Sequence, residues 1–173
     1  MMTGRDLEFS AGKNTDSEGS IRISLLQKED ASAAAELERA YYSLPWTERA
    51  FLDALDRDYY LFLKAETEGV FVGCCGCMRS FETGEITNVT VRQAYRRQGI
   101  ARRMLMALME LGRREGIERF TLEVRCSNEG AIALYHSLGF QTEGVQKGYY
   151  ESPREDALIL WTPQPSGEKK MTH

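Results

Sequence analysis

Ile86-Thr87-Asn88-Val89-Thr90-Val91, followed closely by Arg97-Gln98-Gly99-Ile100-Ala101, constrains this chain more than any other segment. The first run is β-branched and reads as a strand. From Ile100 to Glu115 the apolar residues recur at helical spacing. A glycine at such a junction lets the backbone turn tightly into the helix and lets a ligand approach its N–H groups. Those first N–H groups have no partner inside the helix and carry the positive end of its dipole, which suits a phosphate. Residues 92–103 add five arginines (Arg92, Arg96, Arg97, Arg102, Arg103) and no acid, in a chain of formal net charge −4. Two readings stand at this point: an anion site at a helix entrance, or an ordinary helix start with solvated arginines.

The remaining pattern alternates strands and helices. Ile21–Leu25 alternates as a first strand, and Asp30 is placed to cap a helix carrying Ala34, Leu37 and Tyr41. Pro45 ends that segment, and Thr47 is a good N-cap for a second helix with Phe51, Leu52 and Leu55 on one face. Strands follow near Tyr59–Glu66 and Val70–Arg79, joined by a hairpin turn at Glu66-Thr67-Glu68-Gly69, with another turn expected near Thr83-Gly84. The long helix turns Ile100, Met104, Leu105, Leu108 and Leu111 inward and stops at Gly116. Phe120–Val124 reads as a strand with Thr121 and Glu123 on its non-core face. Ser127 or Asn128 caps a shorter helix closed by Gly139, and Phe140–Trp161 forms two more strands. Hairpins combined with strand–helix–strand order require a sheet with both parallel and antiparallel pairs.

Composition narrows the classes. At 173 residues, 42% hydrophobic and 28% charged, the chain fits one globular domain with a full core. That domain is expected over 20–163, with a flexible extension at 1–19 and a polar, disordered tail at 164–173. No apolar run approaches the ~20 residues of a membrane span, and the first twenty residues lack a signal-peptide core, so a cytoplasmic protein is expected. The acidic balance argues against general nucleic-acid binding. Cys74 and Cys77 form a C-x-x-C, but residues three apart in a strand point to opposite faces and cannot converge on one metal. They are expected as small core residues, with no metal.

Arg96-Arg97-Gln98-Gly99-Ile100-Ala101 resembles the R/Q-x-x-G-x-G/A signature of the GNAT superfamily of N-acetyltransferases. Leu122-Glu123-Val124-Arg125-Cys126-Ser127-Asn128 and Ala131-Ile132-Ala133-Leu134-Tyr135-His136-Ser137-Leu138-Gly139-Phe140 resemble the second half of that family's core. Leu44-Pro45-Trp46-Thr47 with Phe51, and Tyr149-Tyr150 followed by Glu155-Asp156-Ala157, narrow the likeness to the RimI-type ribosomal-protein-alanine acetyltransferases. The resemblance spans residues 20–162, with Ala101 and Cys126 as departures; Cys126 is not read as a nucleophile. It implies a single α/β domain (α+β in some schemes), a mixed, mostly antiparallel sheet of about seven strands flanked by about four helices.

The resemblance also implies acetyl-CoA as donor and direct attack of an amine on the thioester, with no covalent enzyme intermediate. Such a site needs a base for the amine, N–H donors for the oxyanion and an acid for the departing thiolate. Glu123 is the implied base, against the alternative of an exposed strand glutamate with no role. Tyr135, protonated at pH 7, is the candidate acid, against that of a core aromatic. Asn128, Ile132 and Tyr135 share one helix face. Asn128 is either an N-cap or a cofactor contact. The implied cofactor set is Val89, Thr90 and Val91 through their backbone, with Arg96, Arg97, Gln98, Gly99, Ile100, Ala101 and Arg102 at the helix entrance. Leu44, Trp46, Tyr149 and Tyr150 either wall a narrow acceptor slot or pack the core. The implied acceptor is a free protein N-terminus, foremost the N-terminal alanine of ribosomal protein S18; no nucleic acid or membrane partner is expected. A small amine or a lysine is the alternative acceptor, and a non-catalytic acyl-CoA-binding regulatory module is the alternative class.

Overall fold

A left-handed pair, Glu68 at φ 50° and Gly69 at φ 77°, closes the hairpin between β2 (Tyr60–Thr67) and β3 (Val70–Ser80), the geometry that a two-residue loop needs. Strand β1 (Arg22–Leu25) pairs with β2, and β4 (Thr83–Val91) pairs with β3, all antiparallel. The turn into β4 is at Phe81-Glu82, with Phe81 at φ 55°, and not at the expected Thr83-Gly84. Gly84 belongs to the strand itself. A Cβ there would meet the Cys77 Sγ at 2.8 Å and Phe120 Cδ1 at 3.0 Å, so close packing, not a turn, requires the glycine.

The computed structural model describes residues 20–166; the expected extension at 1–19, and the expected tail beyond residue 166, lie outside them. The helices are α1 (Ala31–Tyr41), α2 (Glu48–Leu55), α3 (Ile100–Arg114) and α4 (Glu129–Ser137), and the later strands are β5 (Arg119–Arg125), β6 (Gln141–Glu151) and β7 (Arg154–Trp161). Thr47 caps α2 by accepting the Ala50 N–H at 3.1 Å. Asp30 precedes α1 but does not cap it: its carboxylate accepts the Gln27 N–H at 2.8 Å and holds Lys64 Nζ at 2.9 Å. That carboxylate closes the short 3₁₀ turn over Lys28–Asp30 and is used before α1 begins.

Among the described residues seven strands form one sheet, in the order β1-β2-β3-β4-β5-β7-β6. Only β4 and β5 run parallel, and their register covers three positions, Thr83↔Arg119, Gly84↔Phe120 and Glu85↔Thr121. Beyond those positions β5 pairs only with β7, from Leu122↔Leu160 to Arg125↔Ala157, and β4 only with β3. The sheet therefore opens between β4 and β5 toward the carboxyl ends of both strands. A bulge adds to the opening, since Gly76↔Asn88 is followed by Cys77↔Ile86 and Thr87 is left over.

Each face carries its own core. On one, α3 buries Ile100, Met104, Leu105, Leu108 and Leu111 against Leu63, Val72 and Phe120, each such side chain worth about 1.5–3 kcal/mol of burial. Helix α4 joins that face through Ile132 and Tyr135, and Leu138 follows just past its end. On the other, α1 and α2 pack Ala34, Leu37 and Phe51 against Phe62 and Cys74. Cys74 and Cys77 thus sit in different cores on opposite faces, as the strand period requires. Burial raises both thiols, Cys77 to about 12, which keeps them protonated.

Candidate active site

The opening between β4 and β5 lies where a parallel pair ends and a helix follows each strand, the place where open α/β sheets hold ligands. Its β4 edge presents backbone groups. Thr90 and Arg92 bond toward β3, the latter donating its N–H to the Val72 carbonyl at 2.8 Å. Antiparallel alternation then turns Val89 and Val91 toward β5. Their carbonyls agree: Val89 O accepts the Tyr42 hydroxyl at 2.7 Å and Val91 O accepts Arg96 Nε at 2.9 Å. The N–H groups of Val89 and Val91 face the same opening. The Thr90 side chain turns away from the α3 face, and its hydroxyl donates to buried Glu38 at 3.0 Å.

Arg97 (φ 64°) and Gly99 (φ 75°) are both left-handed, so the loop curls its N–H groups around the start of α3. A Cβ on Gly99 would meet nothing within 4 Å, so the backbone conformation alone calls for glycine there. Arg97 and Gln98 are exposed beside it, Ala101 is half-buried and Ile100 is core. The five arginines are not one solvated cluster. Arg92 donates to Phe71 O, Arg96 lies over the Tyr41 ring at 4.4 Å, Arg102 donates to the Ser137 hydroxyl, and Arg103 donates to Ile21 O. Arg102 thereby joins α3 to α4. The local positive charge persists, but four of these side chains brace the loop and the helix.

Glu123 lies on β5 just past the last β4 partner, on the α1/α2 face. Burial, and then the charge of Glu85, raises its carboxyl above the usual glutamate range. Glu85 is the residue that sequence reasoning missed. It sits on the same face of β4, at the last paired position, and its alternation with buried Gly84 and Ile86 was the available signal. Tyr135 belongs to the opposite face, where it packs edge-to-face on Phe140 at 5.8 Å. Burial raises its phenol first, followed by the neighbouring phenols of Tyr42 and Tyr150. Tyr42 is thus a second missed residue. Glu123 and Tyr135 thus belong to opposite faces of the sheet. Asn128 caps α4, its Oδ1 accepting the Ala131 N–H at 3.2 Å.

The acceptor-slot residues divide. Trp46 is half-buried among Phe51, Tyr60 and Phe62, with ring centroids at 5.2, 5.9 and 5.5 Å, so it packs the α1/α2 core. Leu44, 86% exposed, and Tyr149, 45% exposed, are surface residues. Tyr149 and Tyr150 make an edge-to-face pair at 5.0 Å beside Glu123, whose charge, after burial, helps to raise the Tyr149 phenol.

A family model described as the acetyltransferase (GNAT) family matches residues 27–140. The chain belongs to the GNAT acetyltransferase family. The ribosomal protein bS18-alanine N-acetyltransferase of Escherichia coli K12 is 33% identical to this GNAT chain over 143 residues, 82% of this chain and 96% of that protein. The N-alpha-acetyltransferase RimI of Mycobacterium tuberculosis is 34% identical over 146 residues, 81% of this chain and 90% of that one. The crystal structure of the Escherichia coli ribosomal-protein-S18-alanine N-acetyltransferase superposes with a TM-score of 0.79 at 30% identity, covering 89% of this chain and 100% of that one. With that membership the chain is an acetyl-CoA-dependent N-acetyltransferase of the RimI type. Among the described residues, no helix is long and apolar enough to cross a membrane and no group of His, Cys, Asp and Glu could hold a metal ion.

Proposed function

We propose that this acetyltransferase modifies the free α-amine of a protein N-terminus in the cytoplasm, with the alanine-first N-terminus of ribosomal protein S18 as its main acceptor. The observation that carries the reading is the opening between β4 and β5, with Glu123 on one face of the sheet and Tyr135 on the other. An acceptor from the α1/α2 side and a thioester from the α3/α4 side would meet there. The named relatives, which are S18-alanine and N-alpha acetyltransferases, favour the same acceptor.

The donor fits the residues present. The left-handed Arg97–Gly99 loop and the α3 N-terminus suit the pyrophosphate of CoA, and the edge groups of Val89 and Val91 suit the pantetheine amides. Glu123 takes a proton from the acceptor ammonium, directly or through water. The freed amine then attacks the thioester carbonyl carbon. A backbone N–H of β4 supports the oxyanion. As the C–S bond breaks, the attacking nitrogen releases its second proton to water, and Tyr135 protonates the leaving thiolate and is reprotonated from water. The products are an N-acetyl amide, free CoA and the one proton first taken by Glu123. An α-amine of pKa about 7.7–8.0 is partly neutral near pH 7, whereas lysine at about 10.4 is not, and one carboxylate serves the former better. Tyr149 and Tyr150 wall the slot on this reading, a small first residue fits it, and the next residues lie extended.

Mass spectrometry of short peptides with varied first residues, incubated with acetyl-CoA, tests the reading. Alanine-first peptides are expected to be acetylated fastest, and chemical blocking of the α-amine is expected to abolish transfer even with lysines present. Efficient transfer to lysines of blocked peptides, or to polyamines ahead of any free N-terminus, overturns it.

A further inference from the structure

Arg125 ends β5 on the same face as Glu123, and its guanidinium meets four separate groups of the β6–β7 hairpin. Nη1 donates to the Pro153 carbonyl at 3.0 Å and to the Glu155 carboxylate at 3.2 Å, and Nη2 donates to the Ser152 carbonyl at 3.3 Å. The guanidinium carbon lies 4.2 Å from the Tyr150 ring centroid. Glu155 continues the chain of contacts. Its other carboxylate oxygen accepts the Ser127 N–H at 2.7 Å, one residue before the Asn128 cap of α4. The adjacent Asp156 accepts the Gly148 N–H at 2.8 Å and holds the irregular stretch of β6 between Gln146 and Tyr150. One planar fork can reach two carbonyls and a carboxylate while stacking on an aromatic ring; a lysine ammonium cannot.

We infer that Arg125 is a positioning residue for the acceptor. It fixes the hairpin tip, and with it Tyr149 and Tyr150, at the mouth of the β4/β5 opening. Through Glu155 it holds that wall in one placement relative to the helix that carries Tyr135. The inference rests on the reading of Tyr149 and Tyr150 as the acceptor wall. Its chemical content is specific: the acceptor side depends on the fork, while the donor site at the α3 entrance does not touch it.

Arg125→Met and Arg125→Lys test it, with Glu155→Gln as a milder variant that keeps an oxygen for the Ser127 N–H. Steady-state kinetics on an N-terminal alanine peptide are expected to show the acceptor KM raised about ten- to a hundredfold in Arg125→Met. The acetyl-CoA KM and kcat should stay within a few fold, and Arg125→Lys should recover only a minor part. An unchanged acceptor KM, or equal changes in both KM values, overturns the inference. Hydrogen–deuterium exchange gives a readout independent of the acceptor. Amides of 147–152 and of 127–131 are both expected to exchange faster in the variants, and an effect confined to either segment alone counts against the clamp. If the wild-type chain leaves peptide N-termini unmodified, the acceptor reading fails, while the exchange data still decide whether Arg125 couples hairpin and helix.

Discussion

Glu123 and Glu85 share a face of the sheet, and their proximity is a statement about pH. Burial and a like charge both disfavour the ionised carboxylate, so Glu123, in the proposed role of base, reaches its active form only as pH rises through its raised value. Glu85→Gln removes the like charge, so the Glu123 value falls, and the acidic limb of kcat/KM against pH is expected to move to lower pH. Glu123→Gln, in contrast, should lower turnover about 10²–10⁴-fold with acetyl-CoA affinity close to wild type. An unmoved limb in the first variant, or full turnover in the second, would show that the proton leaves by another route. Glu38 is a second raised carboxyl, 2% exposed, and burial is its leading cause. It accepts from Asn88 Nδ2 and the Thr90 hydroxyl at 3.0 Å each, and from the Trp46 backbone. With its native pKa above the unfolded one, the folded state holds the proton longer. Its contribution to stability is therefore full below the unfolded value and lost as pH rises through the native one. In Glu38→Gln that dependence should vanish from urea titrations. The amide group would also face at least one donor, which costs about 1–3 kcal/mol at neutral pH.

The entrance to α3 offers the proposed donor site its backbone and not a particular side chain. Gly99 needs its left-handed φ of 75° and has open space where a Cβ would go. An asparagine tolerates that conformation and carries no charge, whereas an aspartate of the same shape places a negative charge at the N-terminus of the helix. Calorimetric titration is expected to find acetyl-CoA binding retained within a few fold in Gly99→Asn and severely weakened in Gly99→Asp. Equal affinities in the two variants would remove this loop from the donor site. Much of this element was legible in sequence, because a β-branched strand, a glycine and a helical period are all local signals. The fate of the arginines was not. Arg96 and Arg102 find Val91 O and Ser137 only once distant segments are in place.

At the scale of the molecule, the decisive feature is where strand pairing stops. The parallel register ends at Glu85↔Thr121, and this leaves the N–H groups of Val89 and Val91 toward the opening while Thr90 is tied to β3. Residue-resolved hydrogen exchange should find the Val89 and Val91 amides faster than that of Thr90 in the free protein and strongly slowed by acetyl-CoA. Uniform protection along β4 without the ligand would mean that the opening is closed in solution.

Sequence alone determined the elements and their faces, because periodicity, caps and glycines act over a few residues. Phe120, Leu122 and Val124 turned inward as their alternation required, Thr47 and Asn128 capped their helices, and the two cysteines of the C-x-x-C parted to opposite cores. Tertiary structure decided the rest. It moved a turn to Phe81-Glu82 because Gly84 was needed against Phe120, and it drew Trp46 into an aromatic core. It also set Glu85 near Glu123, the Tyr42 hydroxyl on Val89 O and Arg125 on Glu155. Those contacts join residues 30 to 47 positions apart, and no local pattern specifies a partner at that range.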